Sequence, residues 1–287
     1  NNLQGMNLIR NRTIFKYYAD FMGFGQKIQA GNYTLHRGMT ISQIADQLTR
    51  GDGKPIVRSI TVIPGWTVEG IADYLLKEGA ISDRAQFLEM CKSGQQFAAY
   101  YFVNDVLASG TVLQRKYALE GYLAPDTYEV YTDAKPEDII KKLLSQTGAV
   151  FIEGYQTRAQ ELGMSMDQVL ALASMIEKEA KTADFARVSG IFHNRLRQKM
   201  RLGSDVTVKY VTGTTRMALG GSDLAVDSPY NTYQREGLPI GPICAPSPAA
   251  IQAALYPDEA FMAEGYLYFC SKDPDTGELY FSKTLQE

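Results

Sequence analysis

One apolar run, residues 166–180, restricts the fold more than any other part of the sequence. Its apolar side chains recur at the spacing of one buried helical face, at Val169, Leu172, Ala173 and Ile176. Ser165 stands just before the run, where its hydroxyl can accept a hydrogen bond from a free backbone N–H. The sequence therefore predicts a capped core helix against which other helices pack.

Glu177 is predicted to lie on the rim of this apolar face. At about 100° per residue, Lys178 points away from the face and Glu179 falls on its opposite flank. We therefore expect Glu177 to be half-desolvated, which is the environment that a general acid needs. A rim glutamate paired with a neighbouring arginine or lysine fits the same pattern, and the spacing does not separate the two interpretations.

Composition excludes several classes of protein. A net charge of −3 in 287 residues offers no broad attraction for nucleic acid or anionic lipid. No stretch is long and apolar enough to span a membrane, and the first residues lack a signal peptide, so the protein is cytosolic or a targeting segment precedes residue 1. Three cysteines and two histidines suggest neither a disulfide framework nor a metal site. No cofactor is expected.

The first part of the chain contains a duplicated unit. Residues 38–48 and 65–75 share the pattern G-x-T-(I/V)-x-x-I-A-D-x-L. Thr40 and Thr67 are placed as N-caps of two short helices, and residues 32–35 and 56–63 precede them as predicted strands. A short amphipathic helix is expected within residues 1–30. Two copies are too few for a solenoid, so the pattern predicts a small duplicated α+β domain.

The rest of the chain is predicted to be rich in helices, with long loops and short strands. Helices are expected over 82–107 with Ser82 as cap, from Pro136, over 184–200, and over 248–255 with Ser247 as cap. Loops are expected over 119–130 and 201–243. Two terminal strands, 266–270 and 279–281, flank a turn at 275–277. The predicted fold class is therefore α+β, with a domain boundary near residue 112.

Carboxylates are the remaining candidates for chemistry. With only His36 and His193 and no G-x-S-x-G motif, a serine nucleophile has no evident base, and phosphate-binding motifs are missing. Five acids in the second part of the chain could act as acid or base: Glu120, Asp126, Glu177, Asp205 and Asp227. Interleaved tyrosines and amides are typical of a carbohydrate groove, and equally of many protein cores.

Five blocks of sequence together resemble the MltG (YceG-like) endolytic murein transglycosylases. The blocks are L-E-G-Y with P-D-T-Y (119–122 and 125–128), A-S-M-I-E-K-E (173–179), F-H-N-R-L (192–196), Y-N-T-Y (230–233) and G-L-P-I-G-P-I (237–243). Their order and spacing agree with the family across nearly the whole chain. The resemblance implies cleavage of nascent peptidoglycan glycan strands between N-acetylmuramic acid and N-acetylglucosamine, with a 1,6-anhydro-muramyl end.

The resemblance also implies which residues act. The first acid of the E-K-E block, Glu177, matches the family's catalytic glutamate, used first as general acid and then as base. Substrate-lining roles are expected for Glu120, Tyr122, Asp126, Asn194, Ser204, Asp205, Tyr230 and Asn231, and a purely structural role is the alternative for each.

Further expectations concern organisation and location. The family implies a LysM-like domain over residues 1–112, a catalytic domain over 113–287, and a single-pass anchor upstream of residue 1. The protein would then act on the outer face of the cytoplasmic membrane, in the cell envelope, with peptidoglycan as substrate and penicillin-binding-protein wall synthases as candidate partners. No nucleic-acid partner is expected.

Three positions depart from the family pattern, and two other functions stay open. Gly65 follows Pro64 directly, so the acid of the usual I-P-E-G-W-T is missing; Asp205-Val206 replaces Asp-Pro, and Pro246-Ser247 replaces Pro-Gly. Glu177 itself is unchanged. The alternatives are a non-catalytic wall-binding scaffold for wall synthases, and a glycosidase that uses water with a second acid such as Asp205.

Overall fold

The computed structural model describes residues 2–29, 31–50, 56–273 and 276–285. They form a helix-rich α+β structure, as predicted. The helices are α1 (Asn2–Gly5), α2 (Arg12–Phe21), α3 (Ile41–Arg50), α4 (Val68–Lys77), α5 (Arg84–Ser93), α6 (Tyr101–Ala108), α7 (Pro136–Val150), α8 (Glu153–Glu161), α9 (Met166–Glu179), α10 (Phe185–Arg197), α11 (Asp205–Thr212), α12 (Gly221–Leu224), α13 (Pro248–Leu255) and α14 (Glu259–Glu264). The strands are β1 (Val57–Thr61), β2 (Thr127–Tyr131), β3 (Tyr268–Asp273) and β4 (Glu278–Ser282).

The chain divides into two compact units. One contains residues 1–59 and 129–134, and the other contains 60–128 and 135–287. The two copies of the duplicated pattern fall in different units, since α3 belongs to the first and α4 to the second. The boundary at residue 112 and the LysM-like character of residues 1–112 stay predictions.

The smaller unit has its own apolar core. Its buried members are Ile9, Phe15, Ile44, Ala45 and Leu48, contributed by the N-terminal segment, α2 and α3. Thr40 is the N-cap of α3 as predicted, and it forms a capping box with Gln43, because the side chain of each accepts the backbone N–H of the other. Residues 32–35 make only an isolated bridge at Asn32, so the predicted strand does not form. A four-residue segment needs a neighbouring strand along its length to be stabilised.

The larger unit is built around α9. Ser165 and Gln168 form its capping box, and every side chain from Val169 to Ile176 is buried. The helix packs against α6, α8, α10, α11 and α13, so it is enclosed on several sides and not along one stripe only. The sequence pattern identified this core helix correctly and understated its burial.

Some helix boundaries differ from the predicted ones, and one predicted loop contains helices. The N-cap of α5 is Asp83 and not Ser82, and the predicted helix over 82–107 is broken into α5, a short 3-10 turn and α6. The predicted loop over 201–243 contains α11 and α12. The predicted C-terminal hairpin forms, with Tyr268 opposite Ser282 and Phe269 opposite Phe281. Part of its predicted turn, at Asp275, lies outside the described residues.

The lengths of these helices bear on membrane insertion. None of the helices in the described ranges is both long and apolar enough to cross a bilayer.

Candidate active site

Glu177 is half-buried in the last turn of α9, as its rim position predicted. Its Oε2 accepts two hydrogen bonds from Ser247, one from the backbone N–H at 2.9 Å and one from the hydroxyl at 2.5 Å. Within the described part of the chain, Glu177 makes no ion pair and its Oε1 has no hydrogen-bond partner. The alternative of a rim glutamate locked to an arginine or lysine therefore does not apply.

Ser247 is held in place by its position at the start of α13. Its Oγ accepts a hydrogen bond from the backbone N–H of Ala250 at 3.2 Å, which makes it the N-cap of that helix. Because Oγ is already an acceptor there, its single proton is directed to Glu177. The helix cap therefore fixes one oxygen of the glutamate.

The loop before α4 lies beside Glu177. Gly65 donates its N–H to Ala245 O and Trp66 O accepts from Ala245 N–H, both at 2.8 Å, so this loop is held against the segment that leads to Ser247. A Cβ on Gly65 would lie 4.0 Å from the Cγ of Glu177, and Gly65 has a φ of 82°. Two of the three departures from the family pattern, at Gly65 and at Ser247, are thus neighbours of Glu177.

Two concave regions adjoin these residues. Pro246 and Pro248, on either side of Ser247, line a pocket of about 190 Å³ that Asp126 also lines. Lys178 and Glu179, which follow Glu177, line an open groove of about 390 Å³ together with Ser204 and Asp205. Three residues predicted to contact substrate therefore line these two concavities. Asp126 shares the first with the prolines on either side of Ser247, and Ser204 and Asp205 share the second with the two residues that follow Glu177.

The acids of the groove both accept hydrogen bonds. The hydroxyl of Ser204 donates to Glu179, and the hydroxyl of Tyr233 donates to Asp205 at 2.6 Å. Burial raises the pKa of Glu179, and the bond from Ser204 opposes that shift. Each carboxylate is thus fixed by a neighbouring hydroxyl group.

Glu120 is placed in the interior and not along the groove. Only 2% of the residue is exposed, and its two oxygens accept from Val68 N–H at 3.0 Å and from the Tyr210 hydroxyl at 2.9 Å. Burial raises the pKa of Glu120 to about 7, although both hydrogen bonds favour the charged form. Its carboxyl joins the start of α4 to α11.

Four other predicted residues are also buried. Tyr122 donates to Asp167, and Tyr230 packs against Tyr210 with ring centroids 5.0 Å apart. The side-chain amide of Asn194 donates to one carbonyl of α14 and one just after it, and that of Asn231 to the last carbonyl of α12 and one just after it. These contacts hold loops in place, and a role in binding substrate stays a prediction for each residue.

Sequence reasoning missed several residues of this region as site residues. Ser247 was predicted only as a helix cap. Three cations line the groove without having been predicted to do so, although Lys178 and Arg195 lie in blocks that carry the resemblance; the third is Lys209. The S-P pair at 247–248 identifies a helix start. Nothing local in the sequence indicates that this start meets the end of α9.

The fold and the site together define the class of this protein. It is a helix-rich α+β protein that carries a candidate acid–base carboxylate next to an open groove. The model of the YceG-like family matches residues 1–287. The chain therefore belongs to the YceG-like family.

Known relatives agree with this assignment. A protein of Bacillus subtilis (strain 168) named endolytic murein transglycosylase is 35% identical over 99% of this chain and 78% of its own length. Another of that name, from Streptococcus pneumoniae (strain D39), is 27% identical, and the chain spans 54% of its length. A crystal structure of a yceG-like protein from Listeria monocytogenes superposes with a TM-score of 0.71 at 34% identity, covering 99% of this chain and 91% of that one.

Proposed function

We propose that this chain is a lytic transglycosylase of peptidoglycan with Glu177 as its acid and base. The observation that carries the proposal is the asymmetric environment of this carboxyl. Ser247 fixes Oε2 with two donors, while Oε1 makes no hydrogen bond among the described residues. An acid–base residue needs one oxygen free to exchange a proton with substrate and a fixed direction in which to do so.

The proposed reaction uses one carboxyl twice. The protonated carboxyl of Glu177 gives its proton to the glycosidic oxygen as the bond between that oxygen and the anomeric carbon of the muramyl residue breaks. The resulting carboxylate then takes the proton from the 6-hydroxyl of the same muramyl residue, whose oxygen bonds to the anomeric carbon. No water is consumed, and Glu177 ends protonated as it began.

The proposed substrate and product follow from this sequence of steps. The bond cleaved joins N-acetylmuramic acid to N-acetylglucosamine, and the product carries a 1,6-anhydro-muramyl end. The substrate's own acetamido group assists by stabilising the positive charge that develops at the anomeric carbon. Asp126, Ser204 and Asp205 orient the strand and take no part in proton transfer.

The organisation of the protein is proposed on the same basis. The names of the relatives support action on peptidoglycan in the cell envelope, and the proposal adds that the strands cleaved are nascent. A LysM-like domain over residues 1–112, a catalytic domain over 113–287, an anchor upstream of residue 1 and cooperation with penicillin-binding-protein wall synthases complete the proposal.

The test is digestion of purified sacculi by Glu177→Gln and by a matched control. Glutamine keeps an oxygen that can accept from Ser247 but cannot donate a proton as a carboxylic acid does. We expect release of anhydro-muropeptides to fall by more than about 100-fold, the usual lower bound for loss of general acid–base catalysis. Glu89→Gln removes an exposed glutamate of α5 and should leave release unchanged.

The mass of the product end separates this function from the alternatives. An anhydro end lacks one water relative to a reducing end. Reducing ends would replace the proposal with a glycosidase that uses water. Binding to sacculi without any product, or unchanged release by Glu177→Gln, would overturn the proposed role of Glu177.

A further inference from the structure

The groove next to Glu177 carries an excess of positive side chains. Its lining contains three cations, Lys178, Arg195 and Lys209, and two carboxylates, Glu179 and Asp205. The chain as a whole has a net charge of −3. With three cations and two carboxylates, the lining has one positive charge in excess, the opposite sign to that of the whole chain.

None of these three cations forms an ion pair within the described part of the chain. Each donates instead to neutral backbone carbonyls. Lys178 donates to Gly65 O at 3.5 Å and Lys209 to Met217 O at 3.3 Å, and both contacts are long for hydrogen bonds. Arg195 donates to two carbonyls at 2.6 Å and lies over the ring of Tyr268, which fixes its guanidinium at the groove without an ion pair.

The two carboxylates of the groove compensate these cations only in part. Both carboxylates already accept hydrogen bonds from neighbouring hydroxyls. Ser204 donates to Glu179, and Tyr233 donates to Asp205. The pKa of Glu179 is raised by burial, which weakens it as a counter-charge. A carboxylate supplied by a ligand would complete the charge balance and would form charge-assisted hydrogen bonds with the lysines.

A second cavity in the larger unit has a different character. It measures about 680 Å³ and lies at the other end of α9, where Arg115 and Asp167 line it. Its buried arginine is already matched, because both terminal nitrogens of Arg115 donate to the carboxylate of Asp167, at 2.7 and 2.6 Å. Arg197 also lines this cavity without an ion pair to any described residue and donates to the side chain of Asn194, so the groove at Lys178 differs in bringing three such cations together.

We propose that this groove binds a carboxylate of the peptide stem on the muramyl residue being cleaved, an inference that rests on the proposed function. The sugars of a peptidoglycan strand present neutral hydroxyl and acetamido groups, whereas its negative charges lie on the stem peptides. A Cβ on Gly65 would lie 3.9 Å from the Nζ of Lys178 and 4.0 Å from the Cγ of Glu177, so this lysine of the groove and the acid both lie beside Gly65. The enzyme should therefore prefer strands that carry stems to strands without them.

The test compares three substrates made from one batch of uncross-linked strands. The first keeps its stem peptides, the second has lost them to an amidase and has the lactyl carboxylates exposed by that hydrolysis converted to amides, and the third has its stem carboxylates converted to amides. We expect kcat/KM for anhydro-end formation to be about tenfold higher on the first than on the other two, the effect of one charge-assisted contact. Lys209→Met should bring this ratio close to one, and Lys209→Arg should restore it.

Controls distinguish failure of this inference from failure of the proposed function. Lys92→Met removes an exposed lysine of α5, and it should keep the ratio of the wild type. Equal rates of the wild type on all three substrates, or an equal fall of all rates in Lys209→Met, would overturn the inference and leave the function intact.

A binding measurement tests the proposed stem site without requiring catalysis. Fluorescence anisotropy of labelled strands with Glu177→Gln should show tighter binding of stem-bearing strands, and the double variant with Lys209→Met should lose that difference. If the wild type forms no anhydro ends on any strand, the proposed function fails. The binding difference then still supports or overturns the groove as a stem site.

Discussion

Ser247 donates both its backbone N–H and its hydroxyl to one oxygen of Glu177, at 2.9 and 2.5 Å. The two residues are 70 positions apart in sequence. Two donors on one oxygen restrict rotation of the carboxyl more than a single bond would. The direction in which the free oxygen points is therefore set by the start of α13.

Replacing Ser247 by alanine should lower turnover while leaving the fold intact. The hydroxyl bond to Glu177 is lost and the backbone bond remains, so we expect kcat to fall about tenfold with little change in KM. The matched control is Ser165→Ala, which removes the N-cap of α9 at its other end. Both variants should lose about 1 kcal/mol of stability. Equal kcat values for the two variants would show that Ser247 acts only as a cap.

Replacing Glu120 by glutamine should remove a pH-dependent part of the stability. The ordinary pKa of a glutamate, 4.5, describes its unfolded state, and burial raises the folded pKa to about 7. Between these values the folded state binds more protons, so its stability is fully present below the unfolded pKa and declines as the pH rises through about 7. The change attributable to Glu120 should reach about 3 kcal/mol at most.

Urea denaturation of both proteins across this range measures the effect. Glutamine can still accept from Val68 N–H and can donate to the Tyr210 oxygen, so the contacts survive without the charge. The free energy of unfolding of the wild type should fall relative to that of Glu120→Gln from about pH 5 to about pH 8. Parallel pH profiles would contradict the raised pKa.

Replacing Gly121 by alanine should prevent the larger unit from packing. Gly121 has a φ of 80°, and an added Cβ would lie 2.3 Å from the Cβ of Pro242. Gly163 has a similar φ of 67° with no atom within 4 Å of the added Cβ, so Gly163→Ala isolates the cost of the backbone conformation. We expect about 1 kcal/mol for the control. For Gly121→Ala we expect a loss of more than about 3 kcal/mol, or no soluble protein. Similar melting temperatures for the two would refute this.

Helices with local signals were predictable from the sequence. The N-caps Ser165, Thr67 and Ser247 precede helices where expected, because a cap and the periodic residues after it lie within one or two turns. The helix α11 was missed since its sequence, D-V-T-V-K-Y-V-T, is rich in β-branched residues that disfavour helix. Burial of Thr207, Val208 and Tyr210 outweighs that preference.

The candidate site was only partly predictable for a different reason. The rim position of Glu177 follows from helical periodicity, but its contact with Ser247 depends on how α9 and α13 pack. The tyrosines and acids of residues 119–130 have the composition of a binding loop. Glu120 and Tyr122 nevertheless point inward, where Tyr210 and Asp167 satisfy their polar atoms. Composition does not distinguish a polar group that contacts substrate from one that finds its partner inside.

The contact between α9 and the cap of α13 also has a consequence for biosynthesis. A ribosome completes the helix that bears Glu177 well before Ser247 has been translated. Until the later segment emerges and folds against the earlier one, the glutamate lacks both donors that orient it. The acid would therefore be correctly oriented only after the segment that bears Ser247 has been translated and has packed against α9.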